Sequence, residues 1–452
     1  MADANTAPTR TEVDLKRQIG LYAATAITVG NIIGSGIFKS PNSVAQFLDS
    51  VPLMILMWVI GGALSLTGSL PLAELAAAHP KTGGLYVFIR EGFGDAWAFT
   101  FGWANLWVIK PTLIAAVTTV FSLYFSRAVG LPESAQFPVG CAAILLLTGI
   151  NVLGVRQGAG TQSLFTTLKV LGILALCVAA FALKSTFPPT PASAVAAHAA
   201  QPVLIAIPLA MISVLFAYDG WTDSTYVGGE ILDPKRNLPI AIVWGTVLVI
   251  VVYVLTNLAY FHVLSPVEVR SYQVVGAETM HRVLGDWGGR ALAVLVAIST
   301  FGTINGGILT GPRVTLAMAA DGLLWRPFAH VDPKRGSPDR ALWAQAVLSC
   351  LWLAASHGFE DVSGWFVTTV WLFYGVTTAA LFVQRRRERA AGSRLSEYRT
   401  PLYPLTPSVF ILVTVAIIAS DLTSSGWRAA AGVIIAALGF PVYALWKGRK
   451  TP

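Results

Sequence analysis

"TVGNIIGSGIF", Thr28 to Phe38, puts three glycines, an asparagine and a serine inside the first long apolar segment of the chain. Each glycine costs a helix about 1 kcal/mol relative to alanine. Backbone that meets lipid must nevertheless hydrogen-bond to itself, which normally means helix. The stretch alone leaves two readings open. Gly30 and Gly34 are spaced for close helix packing of the small-xxx-small type, or the helix is interrupted here for a purpose. A second anomaly, "VLFAYDGWTDSTYVGGE" from Val214 to Glu230, sets Asp219, Gly220 and Asp223 inside the sixth apolar segment. A carboxylate in a bilayer costs at least about 2.5–3.5 kcal/mol and needs partners or water. Interruptions at corresponding places in two halves of a chain are the sequence pattern of a transporter site, which favours the second reading.

Composition sets the class. Of 452 residues, 55% are hydrophobic and 12% charged, about half the charged fraction of a soluble domain. Apolar stretches of span length recur at 19–47, 51–77, 85–126, 136–156, 162–184, 203–230, 238–264, 288–320, 341–357, 361–384, 402–421 and 427–447, predicting an all-α membrane protein of twelve transmembrane helices. The polar start "MADANTAPTRTEVDLKRQ" and the length of the run after it do not read as a cleavable signal. The net charge of +8 collects in alternating loops, at Lys16, Arg17, Lys81, Arg90, Lys235, Arg236, Lys334, Arg335, "QRRRER" and Lys447. By the positive-inside rule those loops and both termini are cytoplasmic, so the basic excess marks topology and not nucleic-acid binding. The expected location is the plasma (cytoplasmic) membrane, with lipid as the surrounding partner. Cys141, Cys177 and Cys350 all fall in apolar runs, so no disulfide-linked accessory subunit is expected.

A break gives backbone groups to a ligand. If the chain unwinds around Ile32 to Gly36, the outer half-helix begins with free N–H groups near Ser35, Gly36 and Ile37, and these with the helix dipole suit a carboxylate. The inner half-helix, and the first half of the sixth segment near Phe216, end in free carbonyls that suit an ammonium. A carboxylate and an ammonium side by side describe an α-amino acid.

The motifs "GNIIGSGIF" (30–38), "AELAAAHPKTGGLYVFIREGFG" (73–94), "FAYDGW" (216–221) with "GGEILDPKRNLPIAI" (228–242), and "STFGTINGGILTGPRVTLAMAADGLL" (299–324) resemble the amino acid–polyamine–organocation superfamily, most of all its L-type amino acid transporters. The resemblance runs from about Gly20 to Leu324; the last four segments match in pattern more than in motif. It implies a LeuT-type fold: a first inverted repeat at 19–184 and a second at 203–384, a basic cytoplasmic loop at 385–401, two additional helices at 402–447, and cytoplasmic tails at 1–18 and 448–452. It also implies alternating access, with the carboxylate on Ser35 and Gly36 and the amine on the carbonyls of Ile32, Phe216 and Asp219. Phe216 takes the aromatic gate position, and Asn305 and Ile308 face the substrate side chain. Lys169, which without that context reads as a snorkelling lysine, stands where sodium-coupled relatives hold a cation, with Gly30, Ser299 and Thr300 as partners. Sodium-independent exchange of neutral L-amino acids by an antiporter follows from the resemblance, with no cofactor and no metal.

Other charges are less defined. Asp219 is also a candidate N-cap, Asp223 argues for a cationic substrate, and Lys110 has no role that the resemblance supplies. Glu230 and Arg313 read as solvated or paired gate residues, and Glu74 as an anchor at the inner end of the second segment. A proton-coupled symporter of amino acids or amines using Asp219, Asp223 or Lys169 is the alternative. An enzyme is disfavoured, because His79, His198, His262, His281, His330 and His357 are scattered over loops and segment ends.

Overall fold

A computed structural model of the chain describes residues 15–183, 203–355, 359–425 and 427–448. Most of the tail expected at 1–18, residues 184–202 with His198, His357, and the tail beyond 448 lie outside the described residues. Those described form helices and turns, with one isolated parallel bridge between Ile19 and Ile231. In chain order the helices are α1 (Leu21–Ile32), α2 (Gly36–Phe47), α3 (Val51–Ala78), α4 (Leu85–Phe93), α5 (Asp95–Ala104), α6 (Lys110–Val129), α7 (Gln136–Val152), α8 (Val155–Ala182), α9 (Val203–Ala217), α10 (Asp223–Tyr226), α11 (Pro234–Val263), α12 (Pro266–Ser271), α13 (Val275–Ala320), α14 (Asp339–Ala355), α15 (Phe359–Ala391), α16 (Leu405–Ser425), α17 (Trp427–Ala437) and α18 (Gly439–Gly448).

Among the described residues, eight helices are long and apolar enough to cross a membrane; the segments expected at 203–230, 341–357, 402–421 and 427–447 carry shorter ones. The lipid-facing side is visible on α8, where Leu164, Leu168, Leu171, Leu174 and Val178 are exposed at helical spacing. The opposite face of α8, with Gln162, Thr166, Lys169 and Ile173, is buried. Polar groups therefore point inward and apolar ones outward, the reverse of a soluble helix.

The single span expected at 85–126 is divided into α4, α5 and α6. Gly94, at φ 85°, takes a backbone conformation that other residues rarely adopt, and it turns the amphipathic α4 away from α5. A wide π-type turn at Asn105–Ile109 then joins α5 to α6. α13 is longer than expected and kinks at Gly285, φ 67°. At the centre α11 packs on α1 and α3, α13 on α6 and α8, and α2 on α9. The two interrupted segments are thus surrounded by continuous helices.

Candidate functional site

The first interruption lies between α1 and α2, where Ile33 leaves the helix at φ −76°, ψ 84°. Among the described residues the N–H groups of Ser35, Gly36 and Ile37 meet no backbone acceptor, and the buried Ser35 Oγ has no hydrogen-bond partner. The second lies between α9 and α10, with Gly220 at φ 118°. The two interruptions press on each other. A Cβ at Gly36 would stand 2.5 Å from Ala217 Cα, and one at Gly220 would stand 2.7 Å from the carbonyl carbon of Asn31. Only glycine fits at either place. Tyr253 of α11 ties the pair together, its Oη 2.8 Å from the carbonyl of Ile32 and 3.0 Å from that of Ala217.

A cavity opens where they meet, lined by Asn31, Ile32, Gly34, Ser35 and Gly36 from the first, Phe216, Ala217, Asp219, Gly220 and Asp223 from the second, Leu113 and Val117 from α6, and Thr303 and Gly307 from α13. Of the residues expected to meet a ligand, Ile32, Ser35, Gly36, Phe216 and Asp219 share this wall. Asn305 and Ile308 do not. Thr303 and Gly307 are four residues apart and so lie on one face of α13, which turns Asn305 toward α7 and α8. The carbonyl of Ile32 is already engaged, by Tyr253 and by the N–H of Gly34 at 2.8 Å. The carbonyl of Asp219 accepts no hydrogen bond among the described residues. Phe216 is half-buried and meets Phe366 edge-on, ring centroids 6.3 Å apart. Asp219 caps no helix; its carboxylate accepts from Tyr374 Oη at 2.7 Å, and α10 starts after Thr222 without a side-chain cap.

Beside the cavity, the fully buried Lys169 ammonium donates to the carbonyls of Gly30 at 2.8 Å and Ile33 at 2.6 Å and to Thr303 Oγ1 at 3.0 Å. The expected partner Gly30 is present, whereas Ser299 and Thr300 are displaced by Ile33 and Thr303. Ser299 instead reaches the carbonyls of Ile33 and Gly34 at 3.4 Å, and Thr300 turns back on its own helix to Val296. The Ile33 carbonyl is available to Lys169 because the helix breaks there; an unbroken helix would have used it internally.

A chain of buried polar side chains runs from the cavity wall across four further helices. Lys110 Nζ lies 2.5 Å from Asp223 Oδ1, Asn31 donates to Asp223 Oδ2 at 2.6 Å, Gln162 to Asn31 at 3.2 Å, Asn305 to Gln162 at 3.1 Å, and Asn151 to Asn305 at 2.8 Å. Sequence reasoning missed Asn31, Gln162 and Asn151, since single amides in apolar helices carry no periodic signal. Asn305 belongs to this chain and not to the cavity. The charge expected of Asp223 is matched by Lys110, so it does not stand open to a ligand.

The remaining acidic groups lock other parts of the frame. Glu230 and Arg313 form a wholly buried pair at 3.1 Å, so they are paired but not solvated. Beside it the N–H groups of Gln18 and Ile19 donate to the Glu230 carbonyl. Glu74, buried at the end of α3, receives Arg385 at 2.7 Å, Arg399 at 2.9 Å, and the N–H and hydroxyl of Thr400. The basic 385–401 segment is thereby fastened to the helix frame.

A family model described as amino acid permease matches residues 19–440. The chain belongs to that family. The permease is 32% identical over 96% of its length to the serine/threonine exchanger SteT of Bacillus subtilis, covering 98% of that protein. It is 32% identical over 91% of its length to the mouse b(0,+)-type amino acid transporter 1 and over 97% to the mouse Asc-type amino acid transporter 1, covering 83% of each. Membership in the amino acid–polyamine–organocation superfamily, suggested by the motifs, thus holds for nearly the whole chain, and the family is one of transporters, not enzymes.

Proposed function

We propose that this permease exchanges small neutral L-amino acids across the cytoplasmic membrane, without sodium, by alternating access. The observation that carries the reading is a cavity walled by both interruptions. Among the described residues its Ser35 hydroxyl has no partner and the Ser35–Ile37 amides meet no backbone acceptor, so they suit a substrate carboxylate, strengthened by the positive end of α2. The amine then meets the open carbonyl of Asp219 and that of Phe216, which also takes the Asp219 N–H at 3.2 Å, with the ring of Phe216 closing over it. Leu113, Val117, Thr303 and Gly307 leave a mainly apolar place with one hydroxyl for the side chain. Likeness to the serine/threonine exchanger supports serine- or threonine-sized substrates.

Lys169 supports sodium independence, because its ammonium occupies carbonyl and hydroxyl acceptors of the kind a sodium ion would use. The wider frame is two inverted repeats, 19–184 and 203–384, with a basic loop at 385–401 and two added helices within 402–447. It makes twelve spans with both termini cytoplasmic, and with the cysteines all inside apolar helices it needs no disulfide-linked subunit. The test is counterflow into proteoliposomes loaded with unlabelled amino acids. Labelled serine or threonine should enter only against internal amino acid, equally with and without sodium and a pH gradient. Uptake into empty vesicles driven by protons alone would overturn exchange in favour of symport.

A further inference from the structure

Asp223 is a carboxylate in the cavity wall with both oxygens occupied, one by Lys110 and one by Asn31. The Lys110 and Asp223 side chains are 4% and 3% exposed, so water screens neither charge. Asp223 lines the cavity and Lys110 does not; the cation sits behind the carboxylate. Its position is built by three elements. The wide turn at Asn105–Ile109 delivers Lys110 to the start of α6, Gly311 of α13 leaves room for the lysine stem, which a Cβ there would approach to 2.9 Å, and the Tyr226 ring lies 4.9 Å beneath the ammonium. The other carboxylate in the wall, Asp219, is held by Tyr374.

We propose that Lys110 sets the charge selectivity of the cavity: it cancels Asp223 from behind, so that a basic substrate side chain finds no free carboxylate there. Removing the lysine charge leaves Asp223 buried and uncompensated, and such a group recruits another cation. The cation at hand in a substrate site is the side chain of a cationic amino acid. This inference rests on the proposed amino acid site.

The test compares the wild type, Lys110→Met and Lys110→Met/Asp223→Asn. Counterflow and the thermal shift of purified protein are read with serine, threonine, arginine and lysine. Lys110→Met should gain at least tenfold in arginine or lysine relative to serine, and the added Asp223→Asn should erase that gain. Unchanged selectivity in Lys110→Met overturns the proposal, since Asp223 would then have taken a proton in place of a substrate. A gain that persists in the double variant also overturns it, because Asp219 would be the group responsible. Should Lys110→Met not be recovered folded, Lys110→Gln, whose amide reaches Asp223 without charge, is read in the same two assays. A wild type that counterflows no amino acid defeats the proposed function, while the thermal shift of the Lys110 variants by arginine still decides the charge inference.

Discussion

Lys110 and Lys169 are both buried ammoniums on apolar helices of one permease, and they are held by opposite means. Lys110 faces a carboxylate, Asp223, at 2.5 Å. Lys169 has no carboxylate within salt-bridge distance among the described residues and rests on two carbonyls and a hydroxyl. The first pair depends on two side chains and would survive any backbone change that kept them together. The second depends on the break itself, because the Ile33 carbonyl is free only where α1 has ended. Lys110 therefore reports on charge and Lys169 on backbone shape. On the proposed function, that difference would separate what selects the substrate from what couples it to movement.

The largest effect should come from breaking the charge pair. Lys110→Met strands a buried carboxylate, at a cost of about 3–5 kcal/mol for a pair broken from one side. Adding Asp223→Asn should restore most of the loss in a thermal melt of the purified protein. Equal melting of the single and double variants would show that Asp223 does not need its cation. Lys169→Ala comes next, and its effect should be on rate. Hydrogen bonds from a charged donor contribute about 1.5–3 kcal/mol, which predicts roughly a 10- to 100-fold slower counterflow with much less change in substrate affinity. Full exchange activity in that variant would reduce Lys169 to a filler and collapse the contrast.

The sequence carried more about Lys169 than about Lys110. The motifs placed Lys169 beside Gly30, and the structure keeps that contact. Ser299 and Thr300 were expected on the same ion, but Thr303, three residues beyond Thr300 and so only about 60° round a helix of 3.6 residues per turn, makes the contact. Asn305 and Ile308, expected at the cavity, stand two residues from Thr303 and one from Gly307, about 160° and 100° round the same helix, and neither lines it. The glycines of "TVGNIIGSGIF" pointed to the break, since their local cost needs a reason. They did not show that Gly36 packs on Ala217 and Gly220 on Asn31, which makes a bulky residue at Gly36 a collision between two backbones before it is a block to a ligand. Lys110 and Asp223 are 113 residues apart, and no local pattern joins such a pair. What is local was legible, and what folding brings together was not.

A smaller effect should come from Tyr253→Phe, which removes a hydroxyl that binds both interruptions. Leaving the Ile32 and Ala217 carbonyls without that donor should cost about 1–3 kcal/mol. Thermal unfolding without substrate measures it. The variant also sharpens the contrast between the lysines, because Tyr253 holds the break of α1 without a charge. If its counterflow falls as far as that of Lys169→Ala, steadying the break is what matters and the ammonium is incidental. A loss of stability with exchange largely kept assigns the coupling to the charge.

Ser35→Ala should change least and in the most selective way. Its hydroxyl is buried without a partner among the described residues, so deleting it removes no hydrogen bond seen there. Stability without substrate should stay at the wild-type value or rise slightly, since an unsatisfied buried polar group is itself a cost. If the hydroxyl meets the substrate carboxylate beside the amides of Gly36 and Ile37, its loss removes one bond of about 0.5–1.5 kcal/mol and weakens binding roughly 2- to 12-fold. Titration of serine by thermal shift distinguishes the two quantities in one experiment. A drop in stability with unchanged affinity would place Ser35 in the frame with Lys110 and Lys169. Unchanged stability with weaker binding would set it apart from both, as a group whose partner arrives only with the substrate.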